Sequence, residues 1–325
     1  MAPFSAGRLP AARERARCAT AGSCSAIWSA DLRIVSFLPA GTEMVHALGA
    51  GSQLVGRSHE CDYPPEVAAL PVVSRPALDL HAASPREIDR AVSGRMDGGD
   101  SMYLIDEALL RELRPDVILT QNLCRVCAPS GNELSRAVRD FPNRPDILFL
   151  TPGDIAGIED NIREAGIAIG RPDAAEALLT ATRRRLTLVR AAVASASTRR
   201  IIFLEWTDPP FCAGHWVPEM VALAGGHDPL GRSGEDSVRM SWDDVEAAAP
   251  ELIVVSPCGY RLPQAAELAR SVPRISGARV YAVDANAYYA RPGPRVAEGV
   301  ELLGHLFHPE LVPWAHSHHP WIEIP

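Results

Sequence analysis

The chain has 325 residues, 47% of them hydrophobic and 22% charged, the composition of an ordinary soluble protein and a length that suits two domains of roughly 150 residues. Its 32 Lys and Arg against 40 Asp and Glu give a net charge of −8, so no basic balance invites nucleic acid or an anionic membrane surface. No stretch approaches the roughly 20 consecutive apolar residues of a membrane helix, and the odd number of cysteines, 7, argues against a disulfide scaffold.

Residues 1–32 are rich in Arg, Ala and Ser and include Cys18 and Cys24, without an apolar run long enough for a signal-peptide core. They read as a disordered leader or as the product of an upstream start codon. On that reading the protein is cytoplasmic with reduced thiols, or extracytoplasmic if the start is misassigned. Arg33 to Leu38 is a buried-type strand, and an amphipathic helix follows with Thr42 as its N-cap, ending at Gly49. Leu54 to Arg57 and Pro71 to Ser74 are the next strands. Ser84-Pro-Arg-Glu87 is a capping box with proline at the first helical position, which predicts a helix over 85–95. Met96 to Asp100 reads as a turn, Ile105 to Leu113 as a helix and Val117 to Thr120 as a buried strand. A helix over Asn132 to Asp140 and a strand over Ile147 to Leu150 complete a first α/β unit.

Residues 153–196 carry almost no strand pattern. They form two helical segments parted at Gly170-Arg-Pro172, a composition suited to a helical connector and not to a flexible linker. A second unit follows: strands at 200–206, 252–256 and 280–283, and helices at 217–224, 242–249, 263–272 and 294–307. The predicted fold is therefore α/β: two doubly wound lobes with parallel sheets, at 33–152 and 197–312, joined by a spine at 153–196, with a ligand cleft between the lobes and a capping tail at 313–325.

Candidate chemistry gathers where strands end, because ligand loops of open α/β sheets leave the carboxyl ends of strands. The stretch from His59 to Asp62 (HECD) sets four metal- or proton-binding residues side by side, or is an ordinary polar loop. Cys124-x-x-Cys127 has the spacing of a metal half-site or a redox pair, and also suits two reduced thiols packed beside a strand. Cys61, Cys124, Cys127 and Cys258 each follow a strand, so if both sheets aim into one cleft they form a soft-ligand set for Zn, Fe or the cobalt of a corrinoid, with His59 or His215. His215 is otherwise a structural histidine. No G-x-S-x-G, P-loop or G-x-G-x-x-G pattern is present, so no enzyme fingerprint emerges.

Several stretches carry a resemblance: Val35-Ser-Phe-Leu-Pro39 with Thr42-Glu43, Val55-Gly56 with Ser58 and Asp62-Tyr-Pro-Pro65, Arg114-Pro-Asp-Val-Ile118, Asp208-Pro-Pro-Phe211, Gly214, Gly225-Gly226, and Arg291 with Pro294-Arg295. In these the chain resembles, over about 33–308, the substrate-binding proteins of ABC importers for vitamin B12 and iron chelates, whose two lobes are joined by one rigid helix. The resemblance implies a corrinoid or other metal chelate held between the lobes without turnover, and docking on an ABC permease and ATPase through acidic residues, one of them at Asp243. It places Glu60 and Tyr288 where the vitamin-binding member has cleft aromatics, and Pro76 where that member has a tryptophan. Residues 80–103 look like an insertion relative to the family. Asp62, within the shared Asp-Tyr-Pro-Pro turn, becomes structural. Arg291, preceded by two tyrosines, is read as a ligand clamp, with ion pairing to acids as the alternative, and Arg295 as the start of the last helix. Trp206 and Trp216 are read as a stacking set, whereas Trp242 belongs to the core. The candidate ligand contacts are thus His59, Glu60, His215, Trp216, Tyr288 and Arg291. A second reading is a cytoplasmic, Cys-ligated metal or redox protein acting on a corrinoid on the same scaffold.

Overall fold

In the computed structural model, which describes residues 32–80, 83–98, 100–121, 134 and 137–325, strand alternation builds the core. Strand β1 (Ile34–Ser36) sends Ile34 to one face and Val35 to the other, and β5 (Val117–Thr120) does the same with Val117 and Ile118. Both faces are apolar because helices cover both, as a parallel sheet requires. The first sheet runs β4-β3-β2-β1-β5-β6, with β2 at Leu54–Ser58, β3 at Val72–Pro76, β4 at Tyr103–Ile105 and β6 at Asp146–Phe149. All neighbours pair in parallel except β3 and β4, which are antiparallel.

Helix α1 (Pro39–Ala47) starts with proline in its first turn, not at a Thr42 cap. Thr42 instead lies inside the helix, its hydroxyl donating to Cys61 Sγ at 3.0 Å. Gly41 allows this helix to sit tight on the sheet, since a Cβ there would lie 2.9 Å from Ser36 Oγ and 3.1 Å from Leu119 Cβ. Helix α2 (Pro85–Asp97) has the predicted capping box, with Ser84 and Glu87 exchanging hydrogen bonds, and runs on through the predicted turn at 96–97. Tyr103 to Ile105 is strand, so α3 (Glu107–Leu113) begins later than expected, where Asp106 accepts from Leu109 N.

Helices α4 (Ile155–Ala168) and α5 (Pro172–Val193) are the spine, parted at Gly170 as the sequence implied. The 22 residues of α5 span about 33 Å. The second sheet is built on β7 (Arg199–Thr207), which carries β8 (Pro210–Cys212) antiparallel on its distal half. Its order is β9-β7-β10-β11-β12, with β9 at Gly226–His227, β10 at Leu252–Val255 and β11 at Arg279–Val283. The supposed capping tail supplies the last strand, β12 (Trp321–Ile324), antiparallel to β11. Its helices are α6 (Val217–Leu223), α7 (Trp242–Ala247), α8 (Leu262–Ala269), α9 (Ala285–Tyr288) and α10 (Val296–Phe307).

Leu32–Pro325 is one compact unit, and a single apolar cluster explains why. It runs from Leu38 and Met44 through Ile158, Ile162, Leu179 and Leu186 of the spine to Phe203, Met220 and Val300. The outer faces of the two sheets have their own clusters, one around Phe37 and Leu134 and one around Leu204 and Val255 that includes Trp242. The helical spine is therefore core, and the lobes cannot separate without exposing it.

A candidate ligand cleft between the two lobes

Loops leaving the carboxyl ends of both sheets meet. Asp62, beyond β2, is ion-paired to Arg261 beyond β10 and to Arg291 beyond β11, the latter at 2.6 Å. Arg291 also reaches Glu43 Oε1 at 3.3 Å and the Glu60 carbonyl at 3.1 Å, and Arg295 donates to both Glu43 oxygens at 2.8 and 2.6 Å. The Tyr63 ring stacks under the Arg295 guanidinium at 4.3 Å. Glu43 and Arg291 are almost wholly buried, with side chains 3% and 5% exposed. Burial works against both charged forms of the Asp62–Arg291 pair. The contacts with Arg291 and Arg261 together outweigh it at Asp62, holding that carboxyl below its usual range, and those with Asp62 and Glu43 hold the Arg291 guanidinium above its own. Arg291 is thus not a free clamp for a ligand. Both Nη groups of its fork are engaged by first-lobe acceptors, and it ties the lobes together at one flank of the cleft. Arg295 shares that task, and Asp62 is structural, as the resemblance implied.

His59 and Glu60 stand at the end of β2, half-buried. His59 Nδ1 is 3.1 Å from the Ser74 carbonyl, which can only accept, so Nδ1 carries a hydrogen and Nε2 is the nitrogen left to face other partners. Nε2 lies 3.3 Å from Glu60 Oε1. The Tyr103 ring sits 5.7 Å from the imidazole, brought there by the antiparallel pairing of β4 with β3. From the second lobe, Trp206 at the end of β7 and Tyr260 beyond β10 meet edge-to-face at 5.4 Å, both half-buried, with the exposed Cys258 between them in sequence. Tyr103 and Tyr260 were not singled out from the sequence, since nothing local distinguishes a cleft tyrosine from a surface one.

Other expected contacts lie elsewhere. Trp216 is buried, its indole N–H donating to the Tyr289 carbonyl at 3.0 Å, so it cannot stack on a ligand. Tyr288 is buried as well, its hydroxyl 2.7 Å from His318 Nε2 on the returning tail, and burial pushes its phenol up. His215 is held within its own lobe by Asp236 at 3.0 Å, and does not pair with His59 across the cleft. Asp243 is exposed in the first turn of α7.

Of the four expected cysteine ligands, Cys61 and Cys258 lie among the described residues, and their settings differ. Cys61 is buried, its sulfur held by the Thr42 and Ser58 hydroxyls, and burial pushes its thiol up against those hydrogen bonds. A thiol kept protonated and enclosed on one lobe is not a metal ligand for the other. Cys258 is exposed, whereas Cys124 and Cys127 lie outside the described residues. Among the described residues no group of three or more His, Cys, Asp or Glu could hold a metal ion, so the expected Zn or Fe site on the cysteines has no support. Nor is any helix among them long and apolar enough to cross a membrane.

Residues 34–278, well over half of the chain, match the model of the periplasmic binding protein family. The vitamin B12-binding protein of Pectobacterium carotovorum subsp. carotovorum (strain PC1) is 23% identical over 237 residues, which cover 71% of this chain and 74% of that one. A periplasmic haem-binding protein from Pseudomonas aeruginosa superposes with a TM-score of 0.67 at 20% identity, over 90% of this chain and 97% of its own. The periplasmic vitamin B12-binding protein of Vibrio cholerae does so with a TM-score of 0.58 at 22% identity, over 85% and 96%. Two parallel-sheet lobes on a helical spine are the fold these structures share with the chain. Family members are substrate-binding proteins and not enzymes, which leaves the alternative of a cytoplasmic redox protein without support. The chain belongs to the periplasmic binding protein family.

Proposed function

We propose that the protein binds a metal chelate of the corrinoid or haem type in the cleft between its lobes and presents it to an ABC importer outside the cytoplasm. The observation that carries this reading is the His59–Glu60 pair. One imidazole nitrogen is fixed by a backbone carbonyl, and the other lies 3.3 Å from a carboxylate oxygen. A nitrogen and a carboxylate so placed can share a proton or offer donors to a metal, and an orienting bond on the far nitrogen is the usual support of a metal-bound imidazole. A chelated metal needs one axial donor, not a set of three. Tyr103 beside His59 and the Trp206–Tyr260 pair opposite supply the flat surfaces that a macrocycle stacks on. Corrinoid binding is favoured by the B12-binding relative, and haem binding by the Pseudomonas neighbour. Asp243, exposed at the start of α7, is the acidic residue offered to a permease.

The test is titration of cyanocobalamin, aquocobalamin, cobinamide and haemin into the purified protein, followed by absorbance. A Kd below about 10 μM, roughly −7 kcal/mol, is expected for one of the two classes. His59→Ala should then abolish the band shift that accompanies axial ligation while Trp216→Phe leaves it intact. Absence of binding by all four probes would refute the proposal.

A further inference from the structure

Helix α2 bridges to the second lobe through residues other than those of the Glu43–Arg291 tie. It belongs to a 77–102 excursion rooted in a hairpin: β3 and β4 pair antiparallel through Pro76 and Tyr103, and Ala77 N donates to the Met102 carbonyl. Both legs of the excursion therefore spring from one point on the edge of the first sheet. From there α2 crosses to the second lobe. Arg86 donates to Asp208 Oδ1 at 2.9 and 3.2 Å, Trp206 Nε1 to the Pro85 carbonyl at 3.3 Å, and Arg239 to both oxygens of Asp89 and to Ser93 Oγ at 2.8–3.0 Å. Residues 86, 89 and 93 share one face of the helix, spaced i, i+3 and i+7. None of the residues of α2 whose burial is described is buried, and none belongs to an apolar cluster. Among the described residues, what holds the helix down is thus a few polar contacts to the other lobe at the end of β7, beside Trp206.

We infer that α2 is a hinged latch across the mouth of the cleft, closed by the Arg86–Asp208 and Arg239–Asp89/Ser93 contacts, and that ligand enters and leaves by breaking them while the spine and the Arg291 tie stay fixed. A segment with little buried surface and solvent-exposed polar contacts opens locally at a small fraction of the cost of global unfolding. Exposed ion pairs of this kind are each worth a factor of about five at most, and salt weakens them. The latch is therefore strong enough to be mostly shut and weak enough to open often. The gating half of the inference rests on the cleft being the binding site; the latch itself does not.

Hydrogen exchange of the full chain, read by mass spectrometry on peptides from 83–95, tests the latch without any ligand. In Arg239→Ala these amides should exchange about threefold to tenfold faster, with peptides of β10 and β11 unchanged. Wild type in 1 M NaCl should behave the same way. Arg239 also covers the Phe211 ring at 5.7 Å, so Asp89→Asn, which leaves that contact in place, should reproduce the effect and add little to Arg239→Ala in the double variant. Exchange within twofold of wild type in both variants and in high salt would overturn the latch. For gating, cyanocobalamin and haemin are the probes. Whichever binds should associate and dissociate faster by a common factor in Asp89→Asn, with Kd held within about twofold. Unchanged rates beside accelerated exchange would overturn gating alone, and failure of both probes to bind would overturn gating together with the proposed ligand class, leaving the exchange result to judge the latch.

Discussion

Replacing Glu43 by Gln is the sharpest perturbation the structure offers. The carboxylate, 3% exposed, accepts from Arg291 Nη1 at 3.3 Å and from Arg295 Nε and Nη2 at 2.8 and 2.6 Å, so it is the buried anion between two cations of the other lobe. Breaking such a network from one side costs about 3–5 kcal/mol, chiefly because charge is left in low dielectric without its partner. Here Arg291 retains Asp62 at 2.6 Å and the Glu60 carbonyl at 3.1 Å, and Arg295 stays partly solvated at 16%, so the low end, about 3 kcal/mol, is expected. For a unit of this size that lowers Tm by about 5 °C. Urea unfolding followed by tryptophan fluorescence, with calorimetry alongside, measures it. The matched control is Arg270→Ala, whose partner Glu267 lies one turn away on an exposed face and whose loss should register within about 0.5 kcal/mol. A loss below 1 kcal/mol for Glu43→Gln would refute the view that these charges clamp the lobes.

Further outcomes follow from the same reasoning. Burial pushes Glu205 up to about 7 and Asp228 up to about 6, despite hydrogen bonds to Glu205 from Gly214 N and to Asp228 from Phe203, Leu230 and Gly231 N. A raised carboxyl holds its proton in the folded state after the unfolded chain has lost its own, so these groups take stability away as pH climbs from about 4 to about 7. Glu205→Gln, which keeps an acceptor for Gly214, should be more stable than wild type by about 2 kcal/mol at pH 8 and indistinguishable near pH 4, as urea midpoints at the two pH values would reveal. Trp216→Phe should cost about 1–3 kcal/mol by stranding the Tyr289 carbonyl, with ligand affinity unchanged in titration; a large affinity loss would restore Trp216 to the cleft. Of Cys61, Cys212 and Cys258, Cys258 should react with a thiol reagent in the native protein and the other two only on unfolding, which peptide mapping after timed labelling will show.

What the sequence determined by itself is the order of the main helices and parallel strands among the described residues, because those depend on local rules. Alternating apolar strands, the Ser84–Glu87 box and the Gly170 break all act within a few residues, and all appear as predicted. The resemblance carried by Asp62-Tyr-Pro-Pro65 and Asp208-Pro-Pro-Phe211 likewise fixed the family. Tertiary structure decided what depends on partners far away in the chain. Three antiparallel strands, at 103–105, 210–212 and 321–324, are too short to announce themselves and exist because a sheet edge was there to receive them. Arg291 looked like a ligand clamp because its chemistry fits one, and only the fold shows Glu43, 248 positions away, already in its grip. Cys61 looked like a metal ligand until Thr42 enclosed it, and Trp216 like a stacking surface until Tyr289 took its N–H. A side chain's type states what it can bind, and the packing around it determines what it has already bound.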